Sequence, residues 1–311
     1  MKFAMVFPGQ GSQSVGMMAG YEAHPAVRDT FAEAAEVLAQ DLWALAADGP
    51  PEEINRTVNT QPLMLTADVA LYRAWRAAGG PEPAIAAGHS LGEYAALVAS
   101  GAIAFADALP LVRFRAQAMQ EAVPAGAGAM AAVMGLDDAT LAAVCAEAAQ
   151  GQVVEPVNFN APGQIVIAGH REAVDRAIAL AKTRGAKRGL LLPVSAPFHS
   201  SLLKPAAERL AAYLAKVDLS APSVPVLHNV DVASATTPAA IREALSRQAA
   251  SPVRWADTMR AFAAEGVTHI VECGAGAVLG GLARRTVPEL AVHSTKDGDA
   301  LAAALTAIKE A

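Results

Sequence analysis

The chain has 311 residues, of which 53% are hydrophobic and 17% charged, and its formal net charge is -6. This length and apolar content suffice for a large buried core, in one large domain or in a large and a small one, and they exclude a disordered chain. No apolar run approaches the roughly 18 residues of a membrane span, and no signal-peptide pattern precedes the first strand, so we expect a cytoplasmic protein. The negative charge argues against a nucleic-acid-binding protein.

The two cysteines predict neither a disulfide framework nor a metal site. Cys145 and Cys273 lie far apart in the sequence and form no C-x-x-C pair. We therefore interpret both as small buried apolar residues.

The N-terminal residues predict a buried strand followed by a glycine-rich loop. Residues 3–7 are continuously apolar, as in a strand covered on both faces of a parallel sheet. The loop Pro8-Gly9-Gln10-Gly11-Ser12-Gln13 follows. A dinucleotide-binding fingerprint would need a third glycine at position 14, where Ser14 stands, so the spacing excludes that function. The loop can instead bring its backbone and the Gln10 amide close to another group.

Residues 84–101 predict a strand, a sharp turn and a helix around one serine. Between the apolar residues 84–87 and the helix-forming residues 91–100, Gly88-His89-Ser90-Leu91-Gly92 matches a G-x-S-x-G elbow. The glycines of such an elbow allow a strained backbone at a serine nucleophile. The elbow also puts Ser90 at a helix N-terminus, where free N–H groups face a developing negative charge. The alternative is a glycine-bounded turn whose serine only caps the helix.

An arginine interrupts the apolar face of a predicted helix. Helices are expected over residues 26–38, 62–78 and 106–122. In the third, Arg115 falls in the middle of an otherwise apolar stripe, and an unpaired buried charge is very costly. The side chain could reach the rim or pair with a core carboxylate. It could equally be a fixed fork for the carboxylate of a ligand.

From residue 126 the pattern predicts a small inserted subdomain. The predicted elements are strands over 129–134, 153–159, 164–168 and 188–194 and helices over 137–149 and 171–184. This βαββαβ order is that of a ferredoxin-like unit. We therefore expect a small subdomain over residues 126–196 between the two parts of a larger domain, 1–125 and 197–311.

The remaining residues predict a return to the larger domain. The expected elements are helices over 202–215, 239–248 and 255–264, strands over 224–227 and 268–272, and a last helix from about residue 300. Gly274-Ala275-Gly276 opens a further helix that extends to Arg285. The next glycine, Gly280, comes one position too late for a dinucleotide fingerprint, so we expect this turn to have a structural role.

A serine nucleophile needs a base within hydrogen-bond reach, and histidine is the usual base near neutral pH. Among seven histidines, His199 lies at a predicted domain junction, where a cleft between subdomains would form. His228 and His293 lie near strand ends and remain candidates. In the usual hydrolase order, His293 would be the base and Asp231 or Asp257 the acid. If His199 is the base, no convincing acid stands between the elbow and this histidine, and a backbone carbonyl could orient the ring instead.

Five motifs, in order along almost the whole chain, strongly resemble those of the malonyl-CoA:acyl carrier protein transacylases. They are FPGQGSQ at 7–13, GHSLGE at 88–93, the helix segment 115–120, NFNAPGQ at 158–164 and PFHS at 197–200. Members of that family have an α/β-hydrolase-like large domain with a parallel sheet, interrupted by a ferredoxin-like small domain. The resemblance therefore implies the same α/β fold class as the order of predicted elements.

The resemblance also implies roles for particular residues. Ser90 would be the nucleophile and His199 the base of a dyad, with the imidazole oriented by the main-chain carbonyl of Gln248. The backbone N–H groups of Gln10 and Leu91 would form the oxyanion hole. No aspartate is required in this arrangement.

The resemblance further implies a substrate and a partner. The carboxylate of a malonyl group would pair with Arg115, and Phe198, directly before the histidine, favours malonyl over methylmalonyl. The group would pass from malonyl-CoA to the phosphopantetheine thiol of acyl carrier protein. We expect no bound cofactor, no metal, no nucleic-acid or membrane partner, and a monomer.

Three other functions remain as alternatives at this point. The same elbow could belong to a serine esterase or thioesterase, with water as acceptor and His293 as base. The malonyl-transfer subunit of a malonate decarboxylase shares these motifs but loads a different carrier. A non-catalytic acyl or carrier-protein binding scaffold is disfavoured because Ser90 and His199 are both present.

Overall fold

The computed structural model describes residues 2–194 and 196–310. Ser195, near the predicted end of the small subdomain, lies outside the described residues. The strands in the described part of the chain are β1 (Phe3–Phe7), β2 (Ile85–Gly88), β3 (Gly128–Met134), β4 (Val154–Ala161), β5 (Gln164–His170), β6 (Arg188–Leu191), β7 (Val226–Leu227), β8 (His269–Glu272) and β9 (Ala291–Ser294).

The α-helices in the same residues include most of those predicted. They are α1 (Pro25–Leu38), α2 (Leu42–Asp48), α3 (Pro51–Ile54), α4 (Thr57–Ala77), α5 (Gly92–Ala99), α6 (Phe105–Glu121), α7 (Asp138–Ala149), α8 (Arg171–Thr183), α9 (Lys204–Leu214), α10 (Pro238–Gln248), α11 (Trp255–Ala264), α12 (Val278–Thr286) and α13 (Gly298–Glu310). A 3₁₀ turn over Ser201–Leu203 leads directly into α9.

A parallel sheet forms the centre of the larger part of the chain. Its strand order is β7-β2-β1-β8-β9, and every neighbouring pair is parallel. The residues of the middle strand alternate between two cores, with Phe3, Met5 and Phe7 on one face and Ala4 and Val6 on the other. A strand covered on both faces must be apolar at every position, which explains the uninterrupted run in the sequence.

A second, antiparallel sheet is built entirely from the middle of the chain. Its order is β4-β5-β3-β6, and α7 and α8 connect its strands in the sequence βαββαβ. Ala129, Ala131 and Val133 of β3 pack with both helices in a core of their own. The predicted α/β class, a parallel sheet interrupted by a ferredoxin-like unit, is confirmed.

Some element boundaries were predicted wrongly. The helix expected to start at Pro62 begins at Thr57, and Pro62 lies inside it. Proline removes one helical hydrogen bond, but the turns on both sides of Pro62 are buried, and this packing outweighs the missing bond. The short elements α2, α3 and β9 were missed because their few residues show no clear period.

The elbow forms where β2 ends and α5 begins. Ser90 has a φ of +52°, a left-handed conformation that is unfavourable for a residue with a side chain. A Cβ atom on Gly88 would lie 1.8 Å from the Gly92 carbonyl carbon, and one on Gly92 would lie 2.0 Å from the Phe7 carbonyl oxygen. Both glycines are therefore required by close backbone contacts.

We expect Gly92→Ala to destabilise the protein by roughly 1–3 kcal/mol, because the added methyl group must displace β1 backbone. Gly281→Ala is the matched control. Gly281 lies inside α12 with no atom within 4 Å of its hypothetical Cβ, so alanine should stabilise by up to ~1 kcal/mol. Urea unfolding measures both variants. A Gly92→Ala protein as stable as the parent would contradict the close packing of the elbow.

Candidate active site

Ser90 and His199 meet across a cleft between the two sheets. The Ser90 Oγ atom lies 2.7 Å from the His199 Nε2 atom, although the residues are 109 positions apart. A cavity of about 90 Å³ opens beside them. Its walls come from both sheets and their connections: Gln10, Gln61, His89, Ser90, Leu91, Arg115, Met119, Met130, Asn158, Leu192, Val194, Phe198 and His199.

The His199 ring is buried and oriented by a backbone carbonyl. Its Nδ1 atom lies 2.9 Å from the carbonyl oxygen of Gln248, at the end of α10. An Nδ1–H donor to this carbonyl leaves the Nε2 lone pair free to accept the Ser90 hydroxyl proton. Burial, together with the nearby positive charge of Arg115, lowers the pKa of His199 to about 3. The imidazole is therefore neutral at physiological pH, as a base must be.

Arg115 points its guanidinium into the cleft from α6. The side chain is 2% exposed, and its Nη1 atom donates to Gln61 Oε1 at 2.7 Å. Its Nη2 atom lies 2.9 Å from Gln248 Oε1 and 3.2 Å from Ser90 Oγ, and the group lies over the Tyr94 ring at 5.4 Å. No carboxylate in the described residues forms an ion pair with it. The sequence left three surroundings open for the Arg115 side chain. The structure shows that the side chain does not reach the rim of the cleft and does not pair with a core carboxylate in the part of the chain that it describes, so the remaining alternative is a fork for a ligand carboxylate.

Gln10 and Leu91 carry the two backbone N–H groups that the resemblance predicts as oxyanion donors. Leu91 directly precedes α5, and Gln10 lies in the loop after β1. Neither N–H has a hydrogen-bond acceptor within residues 2–194 and 196–310. The Gln10 side chain donates to Thr57 Oγ1 at 3.1 Å, which attaches this loop to α4. Both residues line the cavity beside Ser90.

The other candidate histidines do not reach Ser90. His228 is buried and bonds through Nδ1 to the Glu93 carboxylate at 2.7 Å. His293 lies in β9, an edge strand of the parallel sheet. In that sheet β9 and β2, the strand before the elbow, are on opposite sides of β1. The His293 ring stacks on His269 with ring centroids 5.6 Å apart. Neither contacts the Ser90 hydroxyl in the described part of the chain.

The two candidate acids also have other partners. Asp231 forms an exposed ion pair with Arg247, and Asp257 pairs with Arg254 and Arg260. The serine, acid and late histidine of the hydrolase alternative are therefore not brought together in this fold.

Sequence reasoning missed three polar contributions to the site. Gln61 and the side chain of Gln248 are both bonded to Arg115, and the Gln248 Nε2 atom also donates to the Ser90 carbonyl at 2.9 Å. Asn229 is bonded to the backbone of the elbow. For Gln61 and Gln248, the one local signal of a role in the site is that each is a polar residue among the apolar residues of a helix. Nothing in the sequence indicated a role for Asn229.

The remaining groups with reactive or ligand character lie apart from the cleft. Among residues 2–194 and 196–310, no three or more His, Cys, Asp or Glu side chains converge as metal ligands. No helix in that range is long and apolar enough to cross a membrane. Both cysteines are buried, and burial raises the pKa of Cys145 to about 12, so its thiol is protonated at neutral pH.

A paired serine and histidine at an elbow, with two N–H groups beside them, define an acyl-transferring site. A comparison with protein families agrees, since the model described as "Acyl transferase domain" matches residues 4–307. A relative from Escherichia coli strain K12, a malonyl CoA-acyl carrier protein transacylase, is 58% identical over 305 residues, 98% of this chain and 99% of the relative. The chain belongs to the acyl transferase family and, within it, to the malonyl CoA-acyl carrier protein transacylases.

Solved structures give the same result. An acyl-carrier-protein S-malonyltransferase from Burkholderia pseudomallei is 60% identical, with a TM-score of 0.97 over 98% of this chain and all of the other. A malonyl-transacylase solved in complex with its type II PKS acyl-carrier protein is 51% identical, with a TM-score of 0.97 over 99% of this chain and all of the other.

The lowered pKa of His199 predicts a pH-dependent stability. Because the folded pKa of about 3 lies below the ordinary 6.5, the unfolded chain binds a proton that the folded protein does not. The stabilising contribution is complete above pH 6.5 and is lost as the pH falls toward 3. Between pH 7.5 and 5, wild type should lose about 2 kcal/mol more than His199→Gln in urea unfolding. Equal losses in the two proteins would contradict a neutral, buried His199.

Proposed function

We propose that this chain transfers the malonyl group of malonyl-CoA to the phosphopantetheine thiol of acyl carrier protein, through a malonyl ester on Ser90. The observation that carries the proposal is the Arg115 guanidinium, which is buried without a carboxylate partner and lies 3.2 Å from the Ser90 hydroxyl. An arginine fork in a dry site matches a carboxylate in geometry and charge. Malonyl differs from acetyl by this carboxylate.

In the first half-reaction, His199 Nε2 takes the Ser90 proton while Ser90 Oγ attacks the thioester carbonyl carbon. The negative charge that develops on the carbonyl oxygen is stabilised by the N–H groups of Gln10 and Leu91. When the C–S bond breaks, His199 returns the proton to the CoA thiolate. CoA leaves as a free thiol and Ser90 retains the malonyl ester.

The second half-reaction repeats these steps with a new thiol. The phosphopantetheine thiol of acyl carrier protein gives its proton to His199 and attacks the ester carbonyl, and Ser90 leaves and regains its proton. The two substrates therefore react in turn at one site, which requires ping-pong kinetics. The relative that was solved with its acyl-carrier protein supports this assignment of the partner.

We further propose that the reaction needs no bound cofactor, and we propose the domain boundaries and the cellular location of the protein. The phosphopantetheine belongs to the carrier, and the residues around Ser90 supply the acid–base chemistry without a bound cofactor. We also propose domain boundaries at residues 126 and 197, because all strands of the antiparallel sheet lie within residues 128–191. We place the reaction in the cytoplasm, where this malonyl supply would serve fatty-acid chain elongation.

Intact-protein mass measurement tests the intermediate. After mixing with malonyl-CoA alone, the protein should gain the mass of one malonyl group, and the adduct should disappear on addition of acyl carrier protein with its thiol. Ser90→Ala should form no adduct, because it lacks the nucleophilic oxygen. Release of free malonate without transfer to the carrier would instead indicate a hydrolase, and an adduct in Ser90→Ala would contradict the role of this serine.

The role of Arg115 predicts a loss of selectivity. In Arg115→Ala, the preference for malonyl-CoA over acetyl-CoA, measured as the ratio of kcat/KM values, should fall on the order of a hundredfold, because the substrate carboxylate loses a charged hydrogen-bond partner. Arg113→Ala is the matched control, since Arg113 lies on the same helix but bonds to the Leu38 carbonyl and Gln40. Its selectivity should equal that of wild type. An unchanged preference in Arg115→Ala would disprove carboxylate recognition by this residue.

A further inference from the structure

The buried side-chain amide of Asn229 is bonded to two backbone groups of the elbow, both on the N-terminal side of the Ser90 Cα. The Ser90 N–H donates to Asn229 Oδ1 at 2.7 Å, and Asn229 Nδ2 donates to the Gly88 carbonyl at 2.7 Å. Asn229 is fully buried, in the segment after β7. The two elbow groups that it contacts come from residues 139 and 141 positions away in the chain. The side chain thus connects the elbow to the neighbouring strand's loop.

A buried ion pair in turn fixes Asn229. The Asn229 N–H donates to Glu93 Oε2 at 2.8 Å, and the other oxygen of Glu93 accepts from His228 Nδ1 at 2.7 Å. Burial, the largest single effect, lowers the pKa of His228, but the charge and hydrogen bond of Glu93, together with the charge of Asp231, raise this pKa above its ordinary value. Glu93 belongs to the first turn of α5, directly after the elbow. Both ends of the elbow are therefore connected to residues 228–229.

The contacts of Asn229 stabilise a backbone conformation that is unfavourable for Ser90 by itself. A non-glycine residue with a φ of +52° is strained, and such strain persists only where surrounding contacts outweigh it. Without Asn229, the Ser90 N–H and the Gly88 carbonyl would be buried and unpaired, and a rearranged elbow would relieve both costs. The Ser90 hydroxyl would then leave its position 2.7 Å from His199.

We propose that Asn229 is a positioning residue for acyl transfer: its amide maintains the left-handed backbone of Ser90, and the Glu93–His228 pair orients that amide. The inference rests on the proposed function, because it concerns the rate at which Ser90 is acylated. Asn229 does not contact the substrate cavity. Its loss should therefore slow the chemical step and leave the binding of malonyl-CoA through Arg115 almost unchanged.

Rapid-mixing measurement of Ser90 acylation by malonyl-CoA tests this proposal. In Asn229→Ala, the acylation rate should fall roughly ten- to a hundredfold, as expected for a nucleophile displaced by a fraction of an ångström, while the malonyl-CoA concentration for half-maximal rate changes less than about threefold. Asn229→Asp retains an acceptor for the Ser90 N–H but sets an oxygen against the Gly88 carbonyl. Its acylation rate should lie between those of wild type and Asn229→Ala.

Thr30→Ala is the control for general destabilisation, because it removes a buried side-chain hydrogen bond in α1, away from the elbow. It should acylate at the wild-type rate even where its thermal unfolding shifts as much as that of an Asn229 variant. If Ser90→Ala forms no adduct but both folded Asn229 variants acylate as fast as wild type, the positioning role is wrong. If Asn229→Ala does not fold, the acylation rate of Asn229→Asp alone tests the positioning role, and a wild-type rate in that variant contradicts it. An adduct in Ser90→Ala would overturn the proposed function itself.

Discussion

Gln248 is bonded to the His199 ring, the Arg115 guanidinium and the backbone of Ser90. Its backbone carbonyl accepts from His199 Nδ1, its side-chain oxygen accepts from Arg115, and its side-chain NH₂ group donates to the Ser90 carbonyl. The residue is fully buried at the end of α10, so these bonds exchange little with water. The relative positions of Ser90, His199 and Arg115 therefore depend on where one helix ends. A backbone carbonyl takes the place that an aspartate has in a Ser-His-Asp triad.

The inserted antiparallel sheet stabilises the segments that carry His199 and Gln248. Strand β4 is bonded to Val253 on the chain after Gln248, through the Phe159 N–H and the Val253 N–H. From the same strand, Glu155 accepts hydrogen bonds from the backbone N–H and hydroxyl of Ser201, two residues after His199. The small sheet therefore helps to set the position of His199 as well as forming a wall of the cleft, and movement between the sheets would alter the alignment of this ring with Ser90.

The electrostatics of the site favour one protonation state. Arg115 and burial both disfavour a charged imidazole, so His199 is neutral and can accept the Ser90 proton. The same cation lacks a carboxylate partner in the described residues, which leaves its charge available to a substrate. Ser90 and His199 both have positive φ values, of +52° and +65°, and this strain is concentrated where the two side chains meet.

The sequence by itself determined the fold class, the elbow and the place of Arg115 on an apolar helix face, because strand burial, glycine spacing and helical period are properties of neighbouring residues. The residue pattern favoured His199 but left His228 and His293 open as bases, and the family resemblance then selected His199 and the Gln248 carbonyl. The bonds of the Gln248 side chain and of Asn229 were decided by the tertiary structure. They join groups 133 to 158 residues apart, and no local pattern encodes which distant loops meet at one cleft.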